Sequence, residues 1–281
     1  MMNQFFSRHA LLLYFMMAFF ISWGAIVLLA GADNLPIDPV GSQNLLPVLY
    51  VSMLFGPAIG GLVAIGITEG KAGFRILLSR LFQWKVKFGW YALALLGTPL
   101  LASLILMTLS VWFPDIRAGI IQSNRSVVVI LTGLMTGFLV GLFEEIGWSG
   151  FAIPHLLKKY RVISCGLMVG LLWGLWHFIL FWEKDSFSNT IAFTLLMARL
   201  FAWLPPFRIL MVWIYQRTQS LLLPILTHMS LVFTTTVIVP MTLSDGALIT
   251  WLVVWGLVLW LIVIAGSFVR SAQPVRLPVP E

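Results

Sequence analysis

The chain has 281 residues, of which 60% are hydrophobic and only 10% are charged. An ordinary soluble domain carries about 25% charged residues, so this composition, with a mean hydropathy of +1.00, excludes a soluble globular protein. The net charge of +7 indicates basic cytoplasmic loops that face anionic lipid, and nucleic acid is not expected as a partner. The lone Cys165 excludes an intramolecular disulfide and a cysteine-based zinc cage. Composition therefore predicts an integral membrane protein with the lipid bilayer as its partner.

Apolar segments long enough to cross a bilayer, which takes about 20 residues, follow one another along the whole chain. The eight segments are Ala10–Ala30, Leu45–Thr68, Trp90–Phe113, Val127–Phe143 with an apolar continuation, Val162–Trp182, Ile191–Tyr215, Leu221–Pro240 and Leu248–Val269. Their connections are short, and no soluble domain fits between them. The sequence thus predicts an all-α, polytopic transmembrane helix bundle of about eight spans, which forms a single membrane domain over residues 1–281.

The first of these segments is similar to a signal peptide in two respects. Arg8 precedes it, and Ala30–Ala32 is similar to a cleavage site. Its apolar region, however, is longer than the roughly 7–15 residues of a signal sequence. We therefore interpret the segment as an uncleaved span.

A different pattern lies between the second and third spans, in "FRILLSRLFQWKVKF", Phe74–Phe88. Apolar residues at positions 74, 77, 78, 81 and 82 share one helical face, and Arg75 and Arg80 lie off it. This spacing predicts an amphipathic helix at the cytoplasmic membrane interface. A solvated linker is the alternative interpretation.

Basic residues are distributed unevenly between the two ends of the predicted spans. With the N-terminus inside, the inner segments hold 12 Lys and Arg residues, whereas the outer loops hold three, Arg117, Arg125 and Lys184. Arg199 and Arg208 lie within the sixth span. Because basic residues concentrate on the cytoplasmic side, we expect a multi-pass protein of the cell membrane with both termini in the cytoplasm.

Four ionisable residues, Glu144, Glu145, His177 and His228, lie inside apolar segments. Counted from the nearest inner basic residue, Glu144, His177 and His228 lie about 20, 24 and 16 Å along their helices. A charged acid near the bilayer centre costs about 2.5–3.5 kcal/mol on insertion scales. Two acids and two histidines at comparable depth therefore predict a polar cavity with a function.

Each of these residues also has a purely structural interpretation. Neighbouring residues on a helix point about 100° apart, so Glu144 and Glu145 cannot share one role. We expect one acid to face the cavity and the other to pair with Arg199 or Arg208 and hold its helix in place. Either histidine could instead be a core residue bonded to a backbone carbonyl.

Prolines and a third histidine mark the ends of two spans. His155 follows Pro154 near the predicted cytoplasmic end of the fourth span, and we interpret it as an interfacial residue. Pro205 and Pro206 are expected to kink or break the sixth helix, because proline lacks the N–H that a helix interior needs.

Two chemistries suit a set of glutamate and histidine residues in a buried cavity. A glutamate can take a proton from water while one histidine holds that water and the other stabilises the oxyanion. Alternatively, Glu144, His177 and His228 could hold a Zn²⁺ ion, because two histidines and one glutamate form a known catalytic zinc set. No "HExxH" or "GxSxG" motif is present, and the residue types alone do not decide between the two.

Three stretches carry a resemblance to a known family. "EEIGWSGFAIP" from Glu144, "WGLWHFIL" around His177 and "LPILTHMSLV" around His228 resemble, in order and spacing, the motifs EExxxR, FxxxH and HxxxN. These belong to the CPBP, or Abi-type, family of CAAX prenyl proteases and bacteriocin-processing enzymes. The resemblance covers roughly Gly133 to Thr236.

The resemblance implies a fold, an activity and a set of site residues. The fold is an eight-helix membrane bundle, and the activity is intramembrane hydrolysis of a peptide bond. Glu144 and His177 would activate water, with Glu145 beside them, and His228 would serve the oxyanion or a metal ion. The substrate would be a peptide or a lipidated protein, with bacteriocin maturation or self-immunity equally open.

Three positions depart from the family motifs. The arginine of the first motif is Ser149, the phenylalanine of the second is Trp173, and the asparagine of the third is Val232. The change to tryptophan is conservative, whereas valine cannot donate a hydrogen bond to an oxyanion. Thr234 or Thr235 could substitute for the asparagine, although neither lies on quite the same helical face. The motifs therefore predict an intact water-activating half and a weakened supporting half.

Three functional hypotheses follow from these observations. The first is an intramembrane endopeptidase, with or without zinc and with activity lowered by the motif departures. The second is a non-catalytic family member that acts as a membrane binding or immunity protein. The third is a small transporter with a proton relay, which predicts inverted repeats of broken helices that the sequence does not display.

Overall fold

The computed structural model describes residues 2–38, 41–122, 126–240 and 242–268, and within these ranges the chain contains helices and no strand. The α-helices are, in chain order, α1 Met2–Ala30, α2 Leu46–Thr68, α3 Gly70–Leu81, α4 Phe88–Leu109, α5 Pro114–Gln122, α6 Val127–Gly147, α7 Ile153–Leu157, α8 Val162–Phe181, α9 Thr190–Met197, α10 Leu204–Thr218, α11 Leu222–Phe233 and α12 Asp245–Phe268. The predicted all-α bundle is confirmed.

Seven helical segments in the described ranges are long and apolar enough to cross a membrane. The segment predicted as the seventh span, Leu221–Pro240, is an apolar helix over Leu222–Ile238 that is shorter than the others. The chain is therefore a multi-pass membrane protein, and the part that the structure describes holds seven candidate spans and one shorter apolar helix. The predicted end of the last span at Val269, and the basic residues Arg125, Arg270 and Arg276, lie outside the described residues.

Three π-helical turns interrupt the helices of the described ranges, and hydrophobic periodicity does not predict them. They cover Trp148–Ala152, Ala198–Ala202 and Thr234–Ile238. The first turn precedes Pro154. The second precedes the helix break at Trp203, after which Pro205 and Pro206 lie in the first turn of α10. The predicted break of the sixth span is thus present, since a helix tolerates proline in its first turn and not in its interior. Single π-turns are frequent at functional sites.

A helix is present in the segment predicted to be amphipathic, with different bounds, and its place at the membrane interface stays a prediction. Helix α3 covers Gly70–Leu81, so it ends well before Phe88. Its end is fixed by another part of the chain: the N–H of Leu221 donates to the carbonyl of Arg80 at 2.8 Å, and the Ser220 hydroxyl donates to the carbonyl of Gln83 at 2.7 Å. These bonds give partners to carbonyls at the end of the helix, where the helix itself supplies none. They cannot be predicted from hydrophobic periodicity.

Helix α6 lies between α2 and α11, whereas α8 packs along α10 and α1 packs along α2. Two glycines lie where helices that carry the candidate site residues approach each other closely. A Cβ atom on Gly141 would lie 2.7 Å from the carbonyl oxygen of Ile225 and 3.2 Å from Cβ of His228. A Cβ atom on Gly170 would lie 2.6 Å from Cα of Pro205. Small residues allow membrane helices to approach closely, and here they bring α11 to α6 and α10 to α8.

Candidate functional site

Glu144 and Glu145 lie in the last turn of α6 and are both buried, with 2% and 0% of their surfaces exposed. Their side chains have separate sets of partners, as the angle between neighbouring helix positions requires. Glu145 faces Arg208 of α10 and Ser149 of the π-turn, whereas Glu144 faces two tryptophan side chains. His228 of α11 lies between the two carboxylates.

Glu145 forms a fully buried ion pair. Nη1 of Arg208 donates to Oε1 and Oε2 of Glu145 at 2.9 and 2.8 Å, and neither side chain is exposed. The Ser149 hydroxyl donates to Oε2 of the same carboxylate. One acid thus pairs with an arginine of the sixth span, as expected. Arg199, the other candidate, instead pairs with Glu183 at 2.8 Å.

Glu144 is held on one side only. Its Oε2 accepts hydrogen bonds from Nε1 of Trp173 at 2.7 Å and from Nε1 of Trp148 at 3.3 Å. Its Oε1 lies 3.9 Å from Nε2 of His228, which is too long for a direct hydrogen bond and suits one bridging water. Glu144 is therefore the acid that has an oxygen left for chemistry.

Both site histidines are oriented through Nδ1. His228 Nδ1 lies 2.8 Å from Oε1 of Glu145, and His177 Nδ1 lies 2.8 Å from the carbonyl oxygen of Trp173. Because an ionised carboxylate and a carbonyl only accept, both Nδ1 atoms donate, and Nε2 of each ring is left for a ligand. The hydrogen bond of His177 to a backbone carbonyl is the one expected of a core histidine. This bond uses Nδ1 and leaves Nε2 available.

Trp173 of α8 connects the residues that the sequence placed at one depth. Its ring centroid lies 5.5 Å from that of His177 and 5.3 Å from that of His228, while its indole N–H bonds Glu144. Glu144 and His228 are thus adjacent, and His177 joins them across the tryptophan. In size this tryptophan is a conservative replacement for the motif phenylalanine, but its N–H donor to Glu144 was not predicted from the motif. The available signal was that a buried tryptophan N–H usually finds a partner.

The two threonines considered as replacements for the third-motif asparagine bond backbone carbonyls of their own helix. The Thr234 hydroxyl donates to the carbonyl of Ser230 at 2.7 Å. The Thr235 hydroxyl lies 3.2 and 3.1 Å from the carbonyls of Leu231 and Val232. Both threonines satisfy their own helix, so neither hydroxyl proton is left for an oxyanion.

His155 lies away from the site, close to the C-terminal end of the fourth span. It is half-buried, its Nδ1 bonds the carbonyl oxygen of Phe151 at 2.7 Å, and its Nε2 lies 3.0 Å from Oε1 of Glu69. The hydrogen bond from His155 lowers the pKa of the Glu69 carboxyl below its ordinary value. His155 therefore connects α7 to the residue that separates α2 from α3.

The zinc centre of Glu144, His177 and His228 stays a prediction. No three His, Cys, Asp or Glu side chains in the described ranges are grouped closely enough to hold a metal ion. Glu145 is already paired with Arg208, and Oε2 of Glu144 already accepts two indole donors. We therefore derive no step through a metal ion.

Comparison with known proteins agrees with this architecture. Residues 125–234 match the family model described as Type II CAAX prenyl endopeptidase Rce1-like. Over these residues the chain is similar to that family, which agrees with the resemblance to the CPBP family that its motifs carry. A segment of 96 residues is 30% identical to CAAX prenyl protease 2 of Methanococcus maripaludis and covers 32% of this chain and 34% of that protein. The chain thus spans about a third of the length of the curated relative it matches. Residues 125–234, which match the family model, include the three motifs.

Proposed function

We propose that this protein is an intramembrane endopeptidase that hydrolyses a peptide bond in a membrane-associated or small peptide substrate. The observation that carries the proposal is the pair formed by Oε1 of Glu144 and Nε2 of His228, 3.9 Å apart in a buried site. A carboxylate and an imidazole at this distance can share one water. The family match, whose description is that of an endopeptidase, supports the same conclusion.

In this mechanism Glu144 is the general base. The indole N–H groups of Trp173 and Trp148 hold its Oε2, so Oε1 receives a proton from the bridging water. The oxygen of that water forms a bond to the carbonyl carbon of the scissile peptide. As the C–N bond breaks, the protonated Glu144 returns the proton to the leaving amine, and the new C-terminus forms as a carboxylic acid, which then loses its proton to solvent.

The histidines are suited to the charge that develops on the substrate. Glu145 accepts a hydrogen bond from Nδ1 of His228 and so orients the ring. The carboxylate also stabilises the protonated imidazole, whose Nε2–H can donate to the oxyanion. His177 presents its Nε2 across Trp173 from His228 and supplies a second contact to water or substrate. Preorganised donors of this kind contribute most when water is excluded.

A non-catalytic membrane binding or immunity protein is the second candidate, and one observation favours it. Val232 occupies the position of the third-motif asparagine, and the neighbouring threonine hydroxyls are used by the backbone. Loss of one oxyanion donor costs about 2.7–4 kcal/mol of transition-state stabilisation. Glu144 and both histidines are nevertheless present, which supports an enzyme of reduced turnover.

The substrate class is inferred from the relatives. The curated relative is named a CAAX prenyl protease, so we propose a peptide or a prenylated protein as substrate. Zinc remains an alternative prediction to the water-activating glutamate, and metal analysis of the purified protein tests it.

We also propose that both termini lie in the cytoplasm. The support is the exposed basic segment Lys158–Arg161 and the exposed Lys71, Arg75, Lys85 and Lys87 around α3, because basic loops favour the cytoplasmic side. A single cysteine at position 159 or 184, placed in a Cys165→Ala background, tests this with an impermeant thiol reagent on intact cells. Labelling of Lys159→Cys, and not of Lys184→Cys, would contradict the orientation.

Cleavage of a defined peptide tests the enzymatic proposal. The purified protein, in detergent or in liposomes, is given an internally quenched peptide that ends in a farnesylated CAAX sequence and a matched unprenylated peptide. We expect wild type to cut at least one of them and Glu144→Gln to cut neither, while Glu183→Gln retains activity. Cleavage that persists in folded Glu144→Gln would contradict the assignment of the base.

A further inference from the structure

The arginine that the first family motif places at position 149 has a counterpart elsewhere in this chain. Position 149 is four residues after Glu145 and therefore lies on the same helical face. Here it is a fully buried serine that donates to Oε2 of Glu145. Arg208, which lies 63 residues after Glu145 in the chain, donates to that same oxygen at 2.8 Å.

We propose that Arg208 replaces the absent motif arginine and is a positioning residue of the site, an inference that rests on the proposed function. The guanidinium reaches Glu145 from α10 instead of from the next turn of the same span. Ser149 is small enough to leave that space, and its hydroxyl bonds the carboxylate beside the guanidinium. The positive charge and its partner are kept, and only the helix that supplies the charge has changed.

Arg208 acts on both carboxylates through separate contacts. Through Glu145 it fixes Nδ1 of His228, because that carboxylate accepts from both groups. Its guanidinium carbon also lies 4.0 Å above the ring centroid of Trp173, a distance typical of a cation–π contact. The same indole donates to Glu144 at 2.7 Å. A single side chain therefore sets the orientation of the base and of the oxyanion histidine without touching the reacting atoms.

The backbone around Arg208 is arranged for this approach. Arg208 follows Pro205 and Pro206 at the start of α10, and Gly170 of α8 faces it, since a Cβ there would lie 3.2 Å from Cβ of Arg208. Trp173 is on the next turn of α8 after Gly170. The close contact of the two helices at this glycine places the guanidinium over the indole.

Exchange of the two residues separates positioning from simple stability. Arg208→Ser leaves Glu145 as a buried charge without its cation, and we expect kcat to fall about 100-fold with KM changed less than about threefold, as misplacement of catalytic groups does. The double variant Ser149→Arg, Arg208→Ser restores the family arrangement at nearly constant volume. It is expected to regain at least about tenfold in kcat over Arg208→Ser.

Controls make each outcome decisive. A folded double variant that stays as slow as Arg208→Ser would overturn the proposal, as would an Arg208→Ser protein that melts earlier and keeps its kcat. Where Arg208→Ser and the double variant both fail to fold, Arg208→Lys decides, because lysine keeps the charge and loses the planar fork. We expect kcat about tenfold lower with KM unchanged, and an unchanged kcat would contradict the role.

Failure of the proposed function is distinguishable from failure of this inference. If wild type cuts no peptide, the endopeptidase assignment fails, and the ¹⁵N NMR spectrum of the histidines tests Arg208 alone. The signal of His228, assigned with His228→Gln, reports which ring nitrogen carries the proton. We expect Nδ1 of His228 to carry a proton in wild type, to lose it in part in Arg208→Ser and to regain it in the double variant; a spectrum unchanged by the substitutions would overturn the proposal.

Discussion

The indole N–H of Trp173 donates a 2.7 Å hydrogen bond to Oε2 of Glu144. The family motif has phenylalanine at this position, which has no N–H to donate. In this chain the replacement adds a donor to the proposed base and fixes the direction of its other oxygen toward His228. A change that is conservative in size is therefore a change in the chemistry of the site.

Trp173→Phe is expected to lower kcat about 10–100-fold with little effect on KM. The variant keeps the aromatic ring under Arg208 and loses one hydrogen bond to a charged group, which contributes about 1.5–3 kcal/mol, and each 1.4 kcal/mol is about tenfold in rate. Steady-state kinetics on the quenched peptide measure the effect.

Trp203→Phe is the matched control for this prediction. Its ring centroid lies 6.4 Å from that of Trp173, and its Nε1 has no hydrogen-bond partner among the described residues. Removal of this N–H should leave kcat nearly unchanged. Equal losses in the two variants would show that the ring, and not the bond to Glu144, accounts for the effect.

Hydropathy was sufficient to predict the bundle, since span length and apolar composition follow from the thickness of the bilayer. Residue counts along the helices also placed Glu144 and His228 at similar depth, and the two are neighbours. The count gives depth and not direction, so the position of His177 on the far side of Trp173 could not be derived from it.

The parts that the sequence did not reveal are tertiary in origin. The end of α3 depends on bonds from Ser220 and Leu221, more than a hundred residues away. The π-turn after Glu145 has no signature in hydrophobic periodicity, although Pro154 marks its neighbourhood. Of the two arginines in the sixth span, only packing selects Arg208 for the ion pair with Glu145.

Val232→Asn is expected to raise kcat by about 10–100-fold. Val232 is four residues after His228 and half-buried, so an amide at this position shares the face of the histidine and can donate to the oxyanion, a contribution of about 2.7–4 kcal/mol in full. Val232→Leu, which changes shape without adding a donor, should not accelerate cleavage. An unresponsive asparagine variant would favour the non-catalytic interpretation.

Chelation is expected to leave cleavage unchanged. The described residues contain no group of three metal-binding side chains, and both carboxylates already have protein partners. Activity with and without millimolar EDTA, together with the zinc content of the purified protein by mass spectrometry, measures this. Stoichiometric zinc, with activity that is lost to EDTA and regained on addition of zinc, would establish the metal mechanism instead.

The contact between Glu69 and His155 is expected to stabilise the protein at neutral pH and not in acid. The hydrogen bond from His155 lowers the pKa of Glu69 below its ordinary value of 4.5, so the contribution is present above that value and is lost as pH falls through the lowered pKa. Glu69→Gln should therefore melt a few degrees below wild type at pH 7, with a difference that shrinks in acid. The double variant Glu69→Gln, His155→Gln should lose less stability than the two single variants lose together, because both substitutions remove the same contact. A difference in melting temperature that persists unchanged below pH 4 would contradict the assignment.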